Sequence, residues 1–213
     1  MLEFRNISLK AHNHNLLRSA CLHIGKGDKA VVRGPSGCGK SSLLKCAVGA
    51  VPLDEGEVHI DGMELKAATV SCIRSRIAFI GQEPVLGTVQ VRDALLLPFR
   101  FKVHQGSMPN PTRIGEVLEQ LRLPEDILTK SCTHISGGEK QRIVIARALL
   151  LDKNIFLADE VTSALDPESK TAVIGELFHP DITLLSVSHD PDWIKTCGRV
   201  IDFDNGQLRE AAA

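Results

Sequence analysis

Residues 29–50 read KAVVRGPSGCGKSSLLKCAVGA, a short apolar strand, a glycine-rich loop and a helix-like segment in succession. The loop Gly34-Pro35-Ser36-Gly37-Cys38-Gly39-Lys40-Ser41 fits the pattern GxxxxGK(S/T) and sits between strand and helix, where its mechanism requires it. Glycines let successive backbone N–H groups turn inward around phosphate oxygens, and the helix N-terminus adds the positive end of its dipole. Lys40 is placed to reach the β and γ phosphates, and Ser41, followed by Ser42, opens the helix where a hydroxyl ligates magnesium. A ligand-free turn explains the octapeptide alone but not its position between those two elements. Cys38, beside Lys40 at the helix start, is either a small passive loop residue or an oxidation-prone thiol.

Working outward, short β-like runs alternate with helical segments, which argues for an α/β architecture with a mainly parallel sheet. Expected strands are Leu2 to Ser8, Lys29 to Arg33, Glu57 to Asp61, Arg76 to Ile80, Asn154 to Ala158, Ile182 to Ser186 and Val200 to Phe203. The rhythm breaks between residues 83 and 151, where helical stretches Val91 to Phe101 and Arg113 to Leu123 are joined by the turn-rich HQGSMPNPT. That stretch reads as a helical subdomain inserted into a single domain, whose α/β core is residues 1–82 and 152–213.

Composition sets limits on function. The 25 Lys+Arg balance 26 Asp+Glu, so no overall charge draws the chain to nucleic acid or anionic lipid. The longest run free of charged residues is ten, Val103 to Thr112, against roughly 20 apolar residues for a membrane span. The N-terminus MLEFRNISLK has no apolar core of a secretory signal, so a cytoplasmic location is expected. Six cysteines without a CxxC pair read as reduced thiols, and no cluster has zinc-ligand spacing.

Two further motifs carry chemistry. In NIFLADE, residues 154–160, an apolar run ends in two carboxylates at the strand edge where ligands bind. Asp159 is placed to hold magnesium, and Glu160 to polarise an attacking water. In ISGGEKQR, residues 135–142, Ser136 and Glu139 match a helix capping box. Two consecutive glycines are a costly choice for capping alone, and they leave backbone N–H groups open for an anion. With Lys40 already serving one nucleotide, the second anion site points to a second copy of the chain.

The order of these motifs resembles the nucleotide-binding subunit of an ATP-binding-cassette (ABC) transporter over essentially the whole chain. GPSGCGKS resembles the Walker A loop, NIFLADE the Walker B strand with its catalytic glutamate, and ISGGEKQR the signature, with Ile135 replacing the commoner leucine. Gln82 in FIGQEP resembles the Q-loop glutamine, Ser163-Ala164-Leu165-Asp166 the D-loop, and His189 in SVSHD the switch histidine. The resemblance implies a P-loop NTPase fold of ABC type: a mainly parallel core, an N-terminal antiparallel β part and the inserted helical subdomain.

It also implies a mechanism. Two copies would close head to tail around two ATP molecules with Mg²⁺. Each nucleotide would meet Lys40, Ser41, Gln82, Asp159, Glu160 and His189 of one copy and Ser136, Gly137 and Gly138 of the other, with Asp166 nearby and Gln82 a further magnesium ligand. An integral membrane permease on a separate chain would receive the motion, holding this subunit on the inner face of the membrane. The resemblance also implies an aromatic for adenine stacking, but the chain has no tyrosine and Ala11 falls there; His12, His14 or a partner could supply a flat face, and exposed loop histidines without that role are the equal alternative. ILTK, LLLPF and EVTSALD resemble Fet-type ATPases assigned to iron export, so iron is the expected cargo. Alternatives are another solute such as lipid or peptide, or a soluble ABC protein acting on nucleic acid. Only 95 residues separate Lys40 from Ile135, which leaves no room for the long coiled coil of such proteins.

Overall fold

The computed structural model describes residues 1–11 and 14–211. Its centre is a six-stranded sheet in the order β10-β9-β3-β8-β7-β6. The strands are β3 (Lys29–Arg33), β6 (Ile77–Ile80), β7 (Ile155–Asp159), β8 (Thr183–Val187), β9 (Arg199–Asp204) and β10 (Gln207–Glu210). All neighbours pair in parallel except β9 with β10. A second, four-stranded sheet in the order β2-β1-β4-β5 is antiparallel throughout. It comprises β1 (Leu2–Ala11), β2 (His14–Ile24), β4 (Glu55–Ile60) and β5 (Met63–Glu64).

The central strands are buried on both faces, which is why they read as continuous apolar runs. Alternation then sends successive side chains to two different cores. Ala30, Val32, Ile155, Leu157, Leu185 and Val187 pack with α1 (Lys40–Ala47) and the antiparallel sheet. Val31, Phe156, Ala158 and Leu184 pack instead beneath the helices on the other side. Those helices include α5 (Gly137–Leu150), α6 (Pro167–Leu177) and α7 (Pro191–Thr196). Trp193 of α7 is buried there, its indole N–H donating to Ser186 Oγ at 2.9 Å.

Between β6 and β7 the described elements are helical apart from one isolated bridge, Gln90 with Ser131. They include α3 (Val91–Leu96) and α4 (Pro111–Gln120), both packed on α5; α2 (Val70–Arg74) precedes β6. The helix expected over Val91 to Phe101 stops at Leu96 and continues as a tighter 3₁₀ turn, Leu97–Arg100. Pro98 causes this, because its ring removes an N–H and crowds the preceding turn. The second expected helix starts earlier, with Asn110 capping it and Pro111 at its first position.

Three strands escaped the sequence reading, and the shortest is β5, two residues across a tight turn from β4. β2 pairs with β1 through several register shifts, so its apolar residues do not alternate cleanly. β10 is a four-residue edge strand with mostly exposed side chains. Among the described residues all six cysteines are unbridged, and no helix is long and apolar enough to cross a membrane.

Candidate functional site

The glycine-rich loop leaves β3 at Gly34, where any Cβ would lie 2.4 Å from the Phe203 carbonyl oxygen, so only glycine fits. Gly37 and Gly39 have φ of 78° and 112°, the left-handed range that turns the backbone around the cradle. Lys40 is only 6% exposed, and its ammonium donates to the Gly34 and Pro35 carbonyls at 2.8 Å each, spanning the loop. Cys38 is half-buried and packs against the core shared with the antiparallel sheet.

At the C-terminal edge of β7, Asp159 is buried and accepts a hydrogen bond from Ser41 Oγ at 3.1 Å. Burial pushes the Asp159 carboxyl above its usual range; the Ser41 hydrogen bond opposes that and the neighbouring Glu160 charge adds to it. Glu160 follows with φ 48°, a conformation in which a side chain is strained. Its N–H donates to the Val187 carbonyl at 2.9 Å, and the Ser163 hydroxyl donates to the Glu160 carbonyl at 3.0 Å. His189, just beyond β8, places Nε2 3.7 Å from Glu160 Oε1. A cavity of about 290 Å³ is lined by Ser36, Gly37, Gly39, Lys40, Ser41, Ser42, Gln82, Glu160 and Leu16 of β2. Thus the loop, the Q-loop glutamine and the strand-edge carboxylates converge at one place. Hydroxyl and carboxylate oxygens at Ser41 and Asp159, 3.1 Å apart beside the cradle, are the hard donors that suit Mg²⁺.

The signature residues do not line that cavity. Ser136 and Glu139 form the expected capping box: Glu139 N–H donates to Ser136 Oγ at 3.1 Å, and Ser136 N–H to Glu139 Oε2 at 2.7 Å. The two glycines differ. A Cβ on Gly138 would lie 3.0 Å from the Ala164 carbonyl, whereas one on Gly137 would meet nothing within 4 Å. Gly138 therefore serves contact with the segment 163–166, and Gly137 has no such close neighbour among the described residues. Asp166 caps α6, accepting from the Ser169 N–H at 2.9 Å and hydroxyl at 2.6 Å, which holds its carboxyl below the usual range.

Sequence reasoning missed two residues that hold the site in place. Asp190 accepts from Lys170 at 2.6 Å, from Thr162 Oγ1 at 3.1 Å and from the first N–H groups of α7. It thereby ties the His189 segment to the loop that follows Glu160; its signal was an aspartate directly before Pro191, the pattern of a helix cap. Arg142 donates to the Leu121 and Arg122 carbonyls at 3.1 and 2.8 Å, joining the signature helix to the end of α4. For adenine, His12 lies outside the described residues, as do the side chains of Ala11 and His14.

A sequence model of the ABC transporter family matches residues 17–163. The probable iron export ATP-binding protein FetA of Escherichia coli strain K12 is 33% identical over 99% of this chain and 95% of its own length. The glutamate/aspartate import ATP-binding protein GltL of the same strain is 32% identical, over 99% and 90%. The methionine import ATP-binding protein MetN of Clostridium acetobutylicum is 34% identical, over 99% and 68%. A dimer of the ATP-binding cassette MJ0796, in a post-hydrolysis state bound to ADP and Pi, superposes with a TM-score of 0.88 at 29% identity, over 99% and 98%. Fold, cradle and sequence agree: the chain belongs to the ABC transporter family as an ATP-binding subunit, and it is an ATPase.

Proposed function

We propose that this chain drives export of a metal ion, iron in the first place, by closing head to tail with a second copy around two ATP molecules and passing that motion to a separate membrane permease. The observation that carries the two-copy part is Gly137. Among the described residues nothing lies within 4 Å of a Cβ built there, so the start of α5 is open to a group from outside the chain, and a nucleotide phosphate suits a helix N-terminus.

In that arrangement Lys40 exchanges its two loop carbonyls for phosphate oxygens, and the backbone of Gly37 to Ser42 surrounds the β phosphate. Ser41 and Asp159, with Gln82 alongside, would hold Mg²⁺, which would supply positive charge against the phosphate oxygens. Glu160 accepts a proton from the attacking water, and His189, whose Nε2 lies 3.7 Å from that carboxylate, meets the γ-phosphate. Ser136 keeps its hydroxyl hydrogen free while its oxygen accepts from Glu139, so it donates to the other copy's nucleotide. Asp166 lies beside that junction at the start of α6. Hydrolysis removes the group both copies hold, and the pair reopens.

A permease would meet side chains that water does not favour. Val85, Val89, Phe101, Val103 and Met108 are all more than half exposed, and all lie within the helical region 83–151, Val85 three residues beyond Gln82. A permease seated there holds the subunit at the cytoplasmic face. No role for nucleic acid is proposed. Iron rests on FetA and on ILTK and LLLPF, which lie outside the ATP-binding motifs. Amino-acid import is the second reading, favoured by the comparable identity to GltL and MetN.

The test is cellular iron and peroxide survival in a strain lacking the gene, restored with the parent protein or with Glu160→Gln. Iron accumulation and peroxide sensitivity reversed only by the parent support hydrolysis-driven export. Unchanged iron removes that cargo and leaves the import reading to be tested by amino-acid uptake.

A further inference from the structure

The outer face of the antiparallel sheet carries a group of side chains that nucleotide chemistry does not use. Glu57 and His59 are two apart on β4, so both project opposite to the buried Val58 and Ile60. Glu64 of β5 is the direct cross-strand partner of His59, which brings it to the same side. One ligand atom from each of the three lies within 4.8 Å of the others, and His59 Nε2 is 2.9 Å from Glu57 Oε2. The spacing is set by backbone pairing through a tight turn at Asp61 and Gly62, with φ of 50° and 76°.

Around a first-row divalent ion with bonds of about 2.0–2.2 Å, neighbouring ligand atoms stand roughly 3 Å apart. Small side-chain rotations therefore close this set. One imidazole nitrogen with two carboxylates suits Zn²⁺, Mn²⁺ or Fe²⁺. The Glu57 side chain is half exposed, which leaves the remaining coordination positions open to water. Two cations stand nearby. Lys66 Nζ is 2.6 Å from Glu64 Oε2, and Arg5, the cross-strand partner of Glu57, is drawn away into an ion pair with Glu3.

We propose that Glu57, His59 and Glu64 form a binding site for a divalent first-row transition-metal ion, which displaces Lys66 from Glu64 and clamps β5 to β4. The site stands apart from the transport reading and does not depend on which solute is carried.

The test is titration of the metal-free, nucleotide-free full chain with Mn²⁺, followed by loss of the free-ion electron paramagnetic resonance signal. Manganese is chosen because it disfavours thiols, and Cys21 and Cys72 are exposed. One ion per chain is expected, bound at least about tenfold more weakly by His59→Ala and by Glu64→Gln. Lys66→Gln, which removes the competing ammonium, is expected to bind more tightly than the parent. Unchanged metal-free unfolding midpoints show that these surface variants fold. Absence of binding in the parent overturns the site, as does affinity indifferent to both ligand variants. So does Mn²⁺ that is lost from Asp159→Asn but kept by His59→Ala, since that ion sits at the phosphate cradle.

Discussion

Gln141 is 2% exposed, and its amide Nε2 has no hydrogen-bond partner among the described residues. An unsatisfied buried donor costs about 1–3 kcal/mol. Replacing it with an unbranched apolar side chain of similar length removes that cost without opening a hole. Gln141→Met is expected to raise stability by about 1 kcal/mol, read from chemical denaturation midpoints at constant slope; a clear loss would show that the amide is bonded after all. The two glycines just upstream separate a residue the fold needs from one it does not. Gly138→Ala would drive a methyl to 3.0 Å from the Ala164 carbonyl and is expected to destabilise. Gly137→Ala meets open space and is expected to leave the unfolding midpoint nearly unchanged. If two copies pair around ATP as proposed, its effect should appear only then, as a loss of hydrolysis and pairing.

At the scale of elements, Asp190 holds α7, the Thr162 loop and Lys170 of α6 at one point. Burial works to raise its pKa, but the Lys170 and Thr162 hydrogen bonds and the α7 N–H groups outweigh that and hold the carboxyl below its usual range. A carboxylate so depressed contributes stability above its unfolded pKa of about 3.9, and loses it as pH falls through the folded value. Asp190→Ala is therefore expected to cost about 1–2 kcal/mol near neutral pH, as helix caps do. The gap to the parent should close in acid, measured by unfolding at a series of pH values. A gap that persists at low pH would mean that the charge is not what Asp190 supplies.

The same residue marks where sequence reading stops. The cradle was legible because its glycines, lysine and serine are neighbours in the chain, and backbone geometry alone demands them. The convergence of Ser41, Gln82, Asp159, Glu160 and His189 was legible through ordered motifs, each at a strand edge or helix start. The Asp190 network joins residues 162, 170 and 190 through side chains, with no periodic pattern to announce it. β2 was missed because its register shifts break alternation, and the early end of α3 follows from a single proline.

At the scale of the whole molecule, the cavity and the signature helix are two halves that one chain does not bring together. Lys40, Ser41, Gln82 and Glu160 share the cavity; Ser136 and Gly137 lie outside it. If closure requires ATP between copies, blocking hydrolysis without losing nucleotide should trap the closed pair. Glu160→Gln keeps the size of the side chain and removes the proposed proton acceptor, so with ATP and magnesium it is expected to elute as a dimer from a size-exclusion column, and with ADP as a monomer. Lys40→Ala removes the phosphate anchor and should remain monomeric in both. Adding Gly137→Ala to the Glu160→Gln chain should return it to a monomer with ATP still bound, because only the contact from the other copy has been lost. Dimerisation of that double variant would place the second copy's contact elsewhere on the surface.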